Sequence, residues 1–127
     1  MPQDVKAIAL ADRARDAREW ETAARHYRQA LDHQPNNPPI WVQYGHALKE
    51  TGNRADAENA YQKSIELDPD VADTHLQLGH VLKLQGKSGG AAAAYLHALA
   101  LDPALHDATR ELLALGWTPD RIRQALQ

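Results

Sequence analysis

Ile40, Trp41, Tyr44, Ala47 and Leu48 recur at a spacing of three to four residues, which puts them on one face of a helix. The pattern breaks at Gly52 and Asn53 and restarts with Ala57, Ala60, Tyr61, Ser64 and Ile65, so two helices joined by a tight turn are predicted. The punctuation agrees. Gly52 and Gly86 suit positions just past a helix end that need positive φ, and Asn53 and Ser88 are expected N-caps, with Asp56 able to reach back toward Asn53 as a capping-box partner. Asn37 is expected to cap the helix that follows it, with Pro38 at the first helical position, and Pro69 and Pro103, each after an Asp, end helices.

The same pattern returns at a fixed interval. Pro35, Pro69 and Pro103 are 34 residues apart, as are Tyr27, Tyr61 and Tyr95, and Ala23, Ala57 and Ala91. Residues 38–71 and 72–105 share 12 identities in 34 aligned positions. Residues 4–37 match the second unit strictly at Ala23, Tyr27 and Pro35, with conservative pairs such as Ala11/Gly45 and Leu31/Ile65. End units of repeat arrays are commonly atypical. An unrelated bundle could use the same residues in its core, but has no reason to space them evenly.

Composition narrows the class. The 127 residues are 43% hydrophobic and 24% charged, globular proportions that exclude disorder. Ala is abundant, Phe is absent and Met occurs once, which favours closely packed helices. Zero cysteines exclude disulfides, thiolate metal sites and a cysteine nucleophile. With 14 Lys+Arg against 17 Asp+Glu, the net charge of −3 supplies no general attraction to nucleic acid or to an anionic membrane. The N-terminus shows no signal-peptide pattern and no apolar run approaches the ~20 residues that span a bilayer. A cytoplasmic location is the default expectation.

These residues resemble the tetratricopeptide repeat family. At its signature positions the second unit has Trp41, Tyr44, Gly45, Leu48, Ala57, Tyr61, Ser64 and Pro69; the third has His75, Leu78, Gly79, Leu82, Ala91, Tyr95, Ala98 and Pro103. The first has Ala7, Leu10, Ala11, Ala14, Ala23, Tyr27, Ala30 and Pro35, with Arg18 in place of the inter-helix glycine, so its first helix is expected to pack less deeply or start late. The resemblance covers residues 4–105 and implies an all-α, right-handed superhelical solenoid of three helix pairs (4–37, 38–71, 72–105) with a concave groove. Gly45 and Gly79, with Ala11, are expected where the helices of a pair approach closely, answered by Ala57 and Ala91.

Residues 106–127 read as capping helices. Leu105, Ala108, Leu112 and Leu115 form a stripe able to cover the open face of the third unit, and Gly116 stops that helix. Thr118 and Pro119 then start a short terminal helix through Leu126, with Ile122, Ala125 and Leu126 on one side. The abrupt end at Leu126 and Gln127 suggests a piece of a longer protein.

By the geometry the resemblance implies, unit positions 5, 9 and 12 face the groove. They give an apolar ladder (Ile8, Val42, Leu76), a mixed polar one (Asp12, His46, His80) and a basic one (Arg15, Lys49, Lys83), flanked by Gln43 and Gln77. Such a groove suits a peptide with apolar anchors and acidic residues, although Lys and Arg there can equally form a solvated face, and Asp16 and Glu50 partly neutralise them. The family's carboxylate clamp for chaperone tails uses Lys, Asn and Arg where this chain has Ile8, Asp12, Gln43, Asp73 and Gln77, which disfavours that ligand.

No other chemistry is indicated. His46 and His80 would sit roughly 10 Å apart on neighbouring helices, too far for one ion, so no metal or other cofactor is expected; they could make binding pH-dependent. Gly86-Lys87-Ser88-Gly89-Gly90 lacks the spacing and strand of a phosphate loop, and no catalytic trio is evident. The arginines of the first unit are balanced by acids in the same segment, so nucleic-acid binding is not expected. The expected function is a non-enzymatic protein-interaction module. The alternatives are the N-terminal adaptor of a larger enzyme such as a bacterial glycosyltransferase, or a scaffold that self-assembles into homo-oligomers.

Overall fold

The computed structural model describes residues 2–127, with side chains from residue 5 onward. All regular structure among them is helical. The chain falls into two compact units, one ending at Pro69 and one starting at Asp70. The first holds α1 (Pro2–Asp16), α2 (Trp20–His33), α3 (Pro38–Glu50) and α4 (Arg54–Leu67). The second holds α5 (Ala72–Leu84), α6 (Ser88–Leu101), α7 (His106–Ala114) and α8 (Pro119–Ala125).

Four of the links between helices close in one way. After α3, the Gly52 amide bonds the Lys49 carbonyl and the Asn53 amide bonds the Leu48 carbonyl. Gly86 and Lys87 repeat this on Lys83 and Leu82, and Gly116 and Trp117 on Leu113 and Leu112. This Schellman closure satisfies two orphan carbonyls and needs a left-handed residue at its centre, met by Gly52, Gly86 and Gly116 at φ of 88°, 78° and 95°. After α1 the same bonds run from Arg18 to Arg15 and from Glu19 to Ala14, with Arg18 itself at φ 58°. The first unit therefore keeps the turn without the glycine, at the steric expense of a Cβ in the left-handed region.

The helix starts divide. Asn37 accepts from the Ile40 amide and Thr118 from the Arg121 amide, each with Pro at the first helical position. Asn53 occupies the N-cap position of α4, but its side chain makes no cap bond and donates instead to Thr51. Ser88 is the first residue of α6, behind Lys87 at the N-cap position. The expected Asn53 and Ser88 side-chain caps are therefore absent: at both turns the backbone closure brings the chain straight into the next helix.

In the first unit Ala7, Ala11 and Ala14 of α1 are buried against Ala23, Tyr27, Ala30 and Leu31 of α2, with Ile40 and Ala47 of α3. α1 thus starts at Pro2 and is buried through Ala7, Ala11 and Ala14, contrary to the expectation of a late or shallow first helix. Its alanines bring the backbones together as glycine does elsewhere. In the second unit Leu82, Ala91, Tyr95, Ala98 and Leu99 form a core completed by Ala108 and Leu112 of α7 and Ile122 of α8. Ala108 and Leu112 of the α7 stripe are buried, whereas only Ile122 of the α8 stripe is buried and Leu126 is exposed.

Tyr27, Tyr61 and Tyr95 have no exposed surface. They lie directly against the glycines: a Cβ on Gly45 would lie 2.8 Å from the Tyr61 ring, and one on Gly79 2.5 Å from the Tyr95 ring. The missing side chain makes room for a flat aromatic. Three polar residues, Ser64, Thr74 and His75, are also internal. Ser64 donates to the Pro38 carbonyl at 3.1 Å, and His75 stacks on His97 with ring centroids 4.5 Å apart.

Candidate functional site

The tyrosine rings carry their hydroxyls to the residues of α1 and α3 in the first unit, and to α5 within the second. There each meets the residue fifteen positions earlier. Tyr27 donates to Asp12 at 2.7 Å. Tyr61 is hydrogen-bonded to Nδ1 of His46 at 2.6 Å, and Tyr95 to Nδ1 of His80 at 2.9 Å. Both His–Tyr pairs have centroids 5.5 Å apart and an edge-to-face angle of 62°. The mixed polar ladder is thus oriented by the buried tyrosines, which limits the rotamers of Asp12, His46 and His80.

Charge is arranged around these pairs. In the first unit Arg15 reaches Asp16 at 3.1 Å and Asp12, Tyr27 and Gln43 at 3.4 Å. Burial opposes the Arg15 charge but is outweighed by Asp16 and Asp12, so the guanidinium pKa is raised. Burial, reinforced by the Asp12 carboxylate, pushes the Tyr27 phenol well above its ordinary range and keeps it a donor. In the second unit Lys83 pairs with Glu111 of α7 at 2.6 Å. That bond holds the Glu111 carboxyl below the usual carboxylate range, while burial and then Glu111 push Tyr95 upward.

The basic ladder therefore divides. Arg15 and Lys83 are engaged, and Lys49 makes no hydrogen bond or ion pair among the described residues. It is Glu111, rather than Glu50, that answers a lysine. Val42, Gln43, His46 and Lys49 are half-buried on α3, Ile8, Asp12 and Arg15 likewise on α1, and Gln77 and His80 on α5. Leu76 departs from its expected place in an open apolar ladder. It is 3% exposed and belongs to the core of the second unit, so it offers no pocket to a ligand.

Two participants escaped the sequence reading. The tyrosine hydroxyls were foreshadowed by the fifteen-residue offset that recurs as Asp12/Tyr27, His46/Tyr61 and His80/Tyr95. Glu111 carried no such signal, since it lies beyond the repeats. Among the described residues no three His, Asp or Glu side chains converge as a metal set, and no helix is long and apolar enough to cross a membrane. A face of oriented hydrogen-bonding groups, one uncommitted cation and half-buried apolar surface is suited to recognition.

Residues 8–118 match the family of the Cilia and flagella-associated protein 70 middle TPR-like domain. No curated protein matches the sequence significantly. The structure is similar to that of MamA protein at a TM-score of 0.86 and 23% identity, over 98% of this chain and 69% of that one. It is similar to the first TPR of Spaghetti (RPAP3) bound to the HSP90 peptide SRMEEVD at 0.84 and 19% identity, over 90% of each chain. It also resembles an O-GlcNAc transferase mutant of Thermobaculum terrenum at 0.78 and 23% identity, over 97% of this chain and 25% of that one. The repeat period, the all-helical fold and the match across most of the chain together place it in the tetratricopeptide repeat family, as a relative of the Cilia and flagella-associated protein 70 middle TPR-like domain.

Proposed function

We propose that this tetratricopeptide protein, with repeats at 4–37, 38–71 and 72–105, is a non-catalytic interaction module. It binds a peptide segment that carries apolar and acidic residues. The observation that carries this reading is Lys49, a cation with no partner among the described residues, set beside half-buried Val42, Gln43 and His46 on one face of α3. Burying Val42 under an apolar side chain and pairing Lys49 with a carboxylate are both favourable, and the tyrosine-anchored polar groups are already ordered. Ile8, Asp12 and Arg15 extend the face within the first unit; Gln77, His80 and Lys83 form its counterpart on the second. The Spaghetti neighbour holds a peptide with two glutamates and an aspartate. Here the residues at the chaperone-clamp positions, Ile8, Asp12, Gln43, Asp73 and Gln77, favour a different acidic segment.

An arrayed library of acidic and apolar peptides tests this. Lys49→Glu and Val42→Asp should each lower the affinity of the best peptides about tenfold or more, the scale of a lost charge-assisted hydrogen bond or buried aliphatic contact. Peptides that bind both variants as tightly as wild type would refute the assignment.

The transferase neighbour favours a second reading, in which the module is an adaptor joined to a catalytic domain, because this chain corresponds to a quarter of that one. Mass spectrometry of the native polypeptide decides it: a parent chain bearing such a domain supports the adaptor, and a 127-residue protein ends it.

A further inference from the structure

The second unit holds a cleft that plays no part in the face described above. Ala92, Ala93 and Leu96 of α6 form one side, and Leu115, Trp117 and Arg121 form the other, enclosing ≈ 320 Å³. The cleft exists because the α6 side chains at this end are so short. Beside them, a Cβ built on Gly89 would meet nothing within 4 Å. The walls are firm, since Leu96, Leu115 and Trp117 pack against the core of the unit. Trp117 follows the left-handed Gly116, and the Arg121 guanidinium lies 3.7 Å from the centroid of its ring.

Among the described residues, Arg121 is the one charged residue that lines this apolar space. No acidic residue lines it, and the nearby Asp120 is bound by Arg123. The first turn of α6, beside it, contains no acid. In a chain of net charge −3 the cleft thus sets one guanidinium, with no lining acid, beside an apolar floor. A guanidinium stacked on an indole still offers its edge N–H groups to a carboxylate. We infer that this cleft is a second docking site, for an acidic peptide segment of a partner protein: an aliphatic side chain lies between Trp117 and the alanines of α6, and a neighbouring carboxylate pairs with Arg121. The volume is at the small end of ligand sites, suited to one or two side chains and too small for a folded surface.

The experiment is an NMR titration of the ¹⁵N-labelled full chain with an acetylated, amidated hexapeptide of alternating leucine and glutamate, against the same peptide with glutamine or lysine in place of glutamate. The Trp117 indole signal and the Gly89 and Gly90 amides should shift saturably, while the indoles of Trp20 and Trp41 stay in place. The glutamine peptide should bind about tenfold more weakly, the scale of a lost charged hydrogen bond, and the lysine peptide more weakly still. Arg121→Ala should abolish the preference for glutamate over glutamine. Ala93→Trp, with helix content checked by circular dichroism, should fill the cleft and block binding, whereas Lys49→Glu should leave the Trp117 shift unchanged. Equal affinity for glutamate and glutamine peptides overturns the inference, as do shifts confined to the Val42 and Lys49 face. It is likewise overturned by Trp117 shifts that appear on concentrating the protein alone, which would make a second copy the occupant. If Ala93→Trp loses helix content, the charge contrast and Arg121→Ala still decide.

Discussion

Gly79 shows how a single missing methyl shapes this protein. Alanine is worth about 1 kcal/mol more than glycine inside a helix, yet at this position its Cβ would stand 2.5 Å from the Tyr95 ring. That ring is buried between helices and cannot swing aside. Overpacking of this kind costs about 1–3 kcal/mol, more than the helix gains. Gly79→Ala should therefore lower stability by up to roughly 2 kcal/mol in urea denaturation, and also disturb the His80–Tyr95 bond that the ring positions. Glu111 offers a pH test. Its folded carboxyl is held below the unfolded value of about 4.3 by Lys83, so it stabilises the fold above that value, and this contribution is lost as pH falls through the lowered folded pKa. Glu111→Gln should reduce the melting temperature at pH 7, with the difference from wild type shrinking to nothing in acid. A constant difference across the range would show that charge is not its role.

At the scale of the helix, the four Schellman turns reveal an exception that can be exploited. Arg18 adopts the left-handed conformation that Gly52, Gly86 and Gly116 adopt in the other three. A left-handed L-residue costs about 1–2 kcal/mol, partly offset by the greater entropy of an unfolded glycine. Arg18 is exposed and makes no ion pair among the described residues. Arg18→Gly should thus stabilise the protein by about 0.5–1 kcal/mol, read as a higher urea midpoint at unchanged slope. The helices themselves were legible because their apolar spacing, their prolines and their glycines all act within one turn of chain. The expected Asn53 and Ser88 caps were not found, since a backbone closure that already ends one helix and starts the next leaves a side-chain cap little to do.

For the molecule as a whole, α7 and α8 matter out of proportion to their length. Leu112 and Ile122 complete the core of the second unit, and Leu112 has no exposed surface. Leu112→Ala should cost about 2–5 kcal/mol, from lost burial and the cavity left behind. Because solenoid stability is close to a sum of local terms, amide exchange should quicken most across α5 to α8. Uniform quickening along the chain would show that the two units melt as one.

The periodic part of this architecture is written in local order: 34-residue columns, helical spacing and turn residues are read by neighbours a few positions away, so the tetratricopeptide character needed no coordinates. What a side chain meets across the packed helices obeys no such short rule. Leu76 shares a column with Val42 yet lies in the core; Lys83 shares one with Lys49 yet is claimed by Glu111, 28 residues on. Column membership sets the direction of a side chain on its own helix. Its burial and its partners depend on which distant element packs there, and that choice is made by the summed contacts of the folded chain.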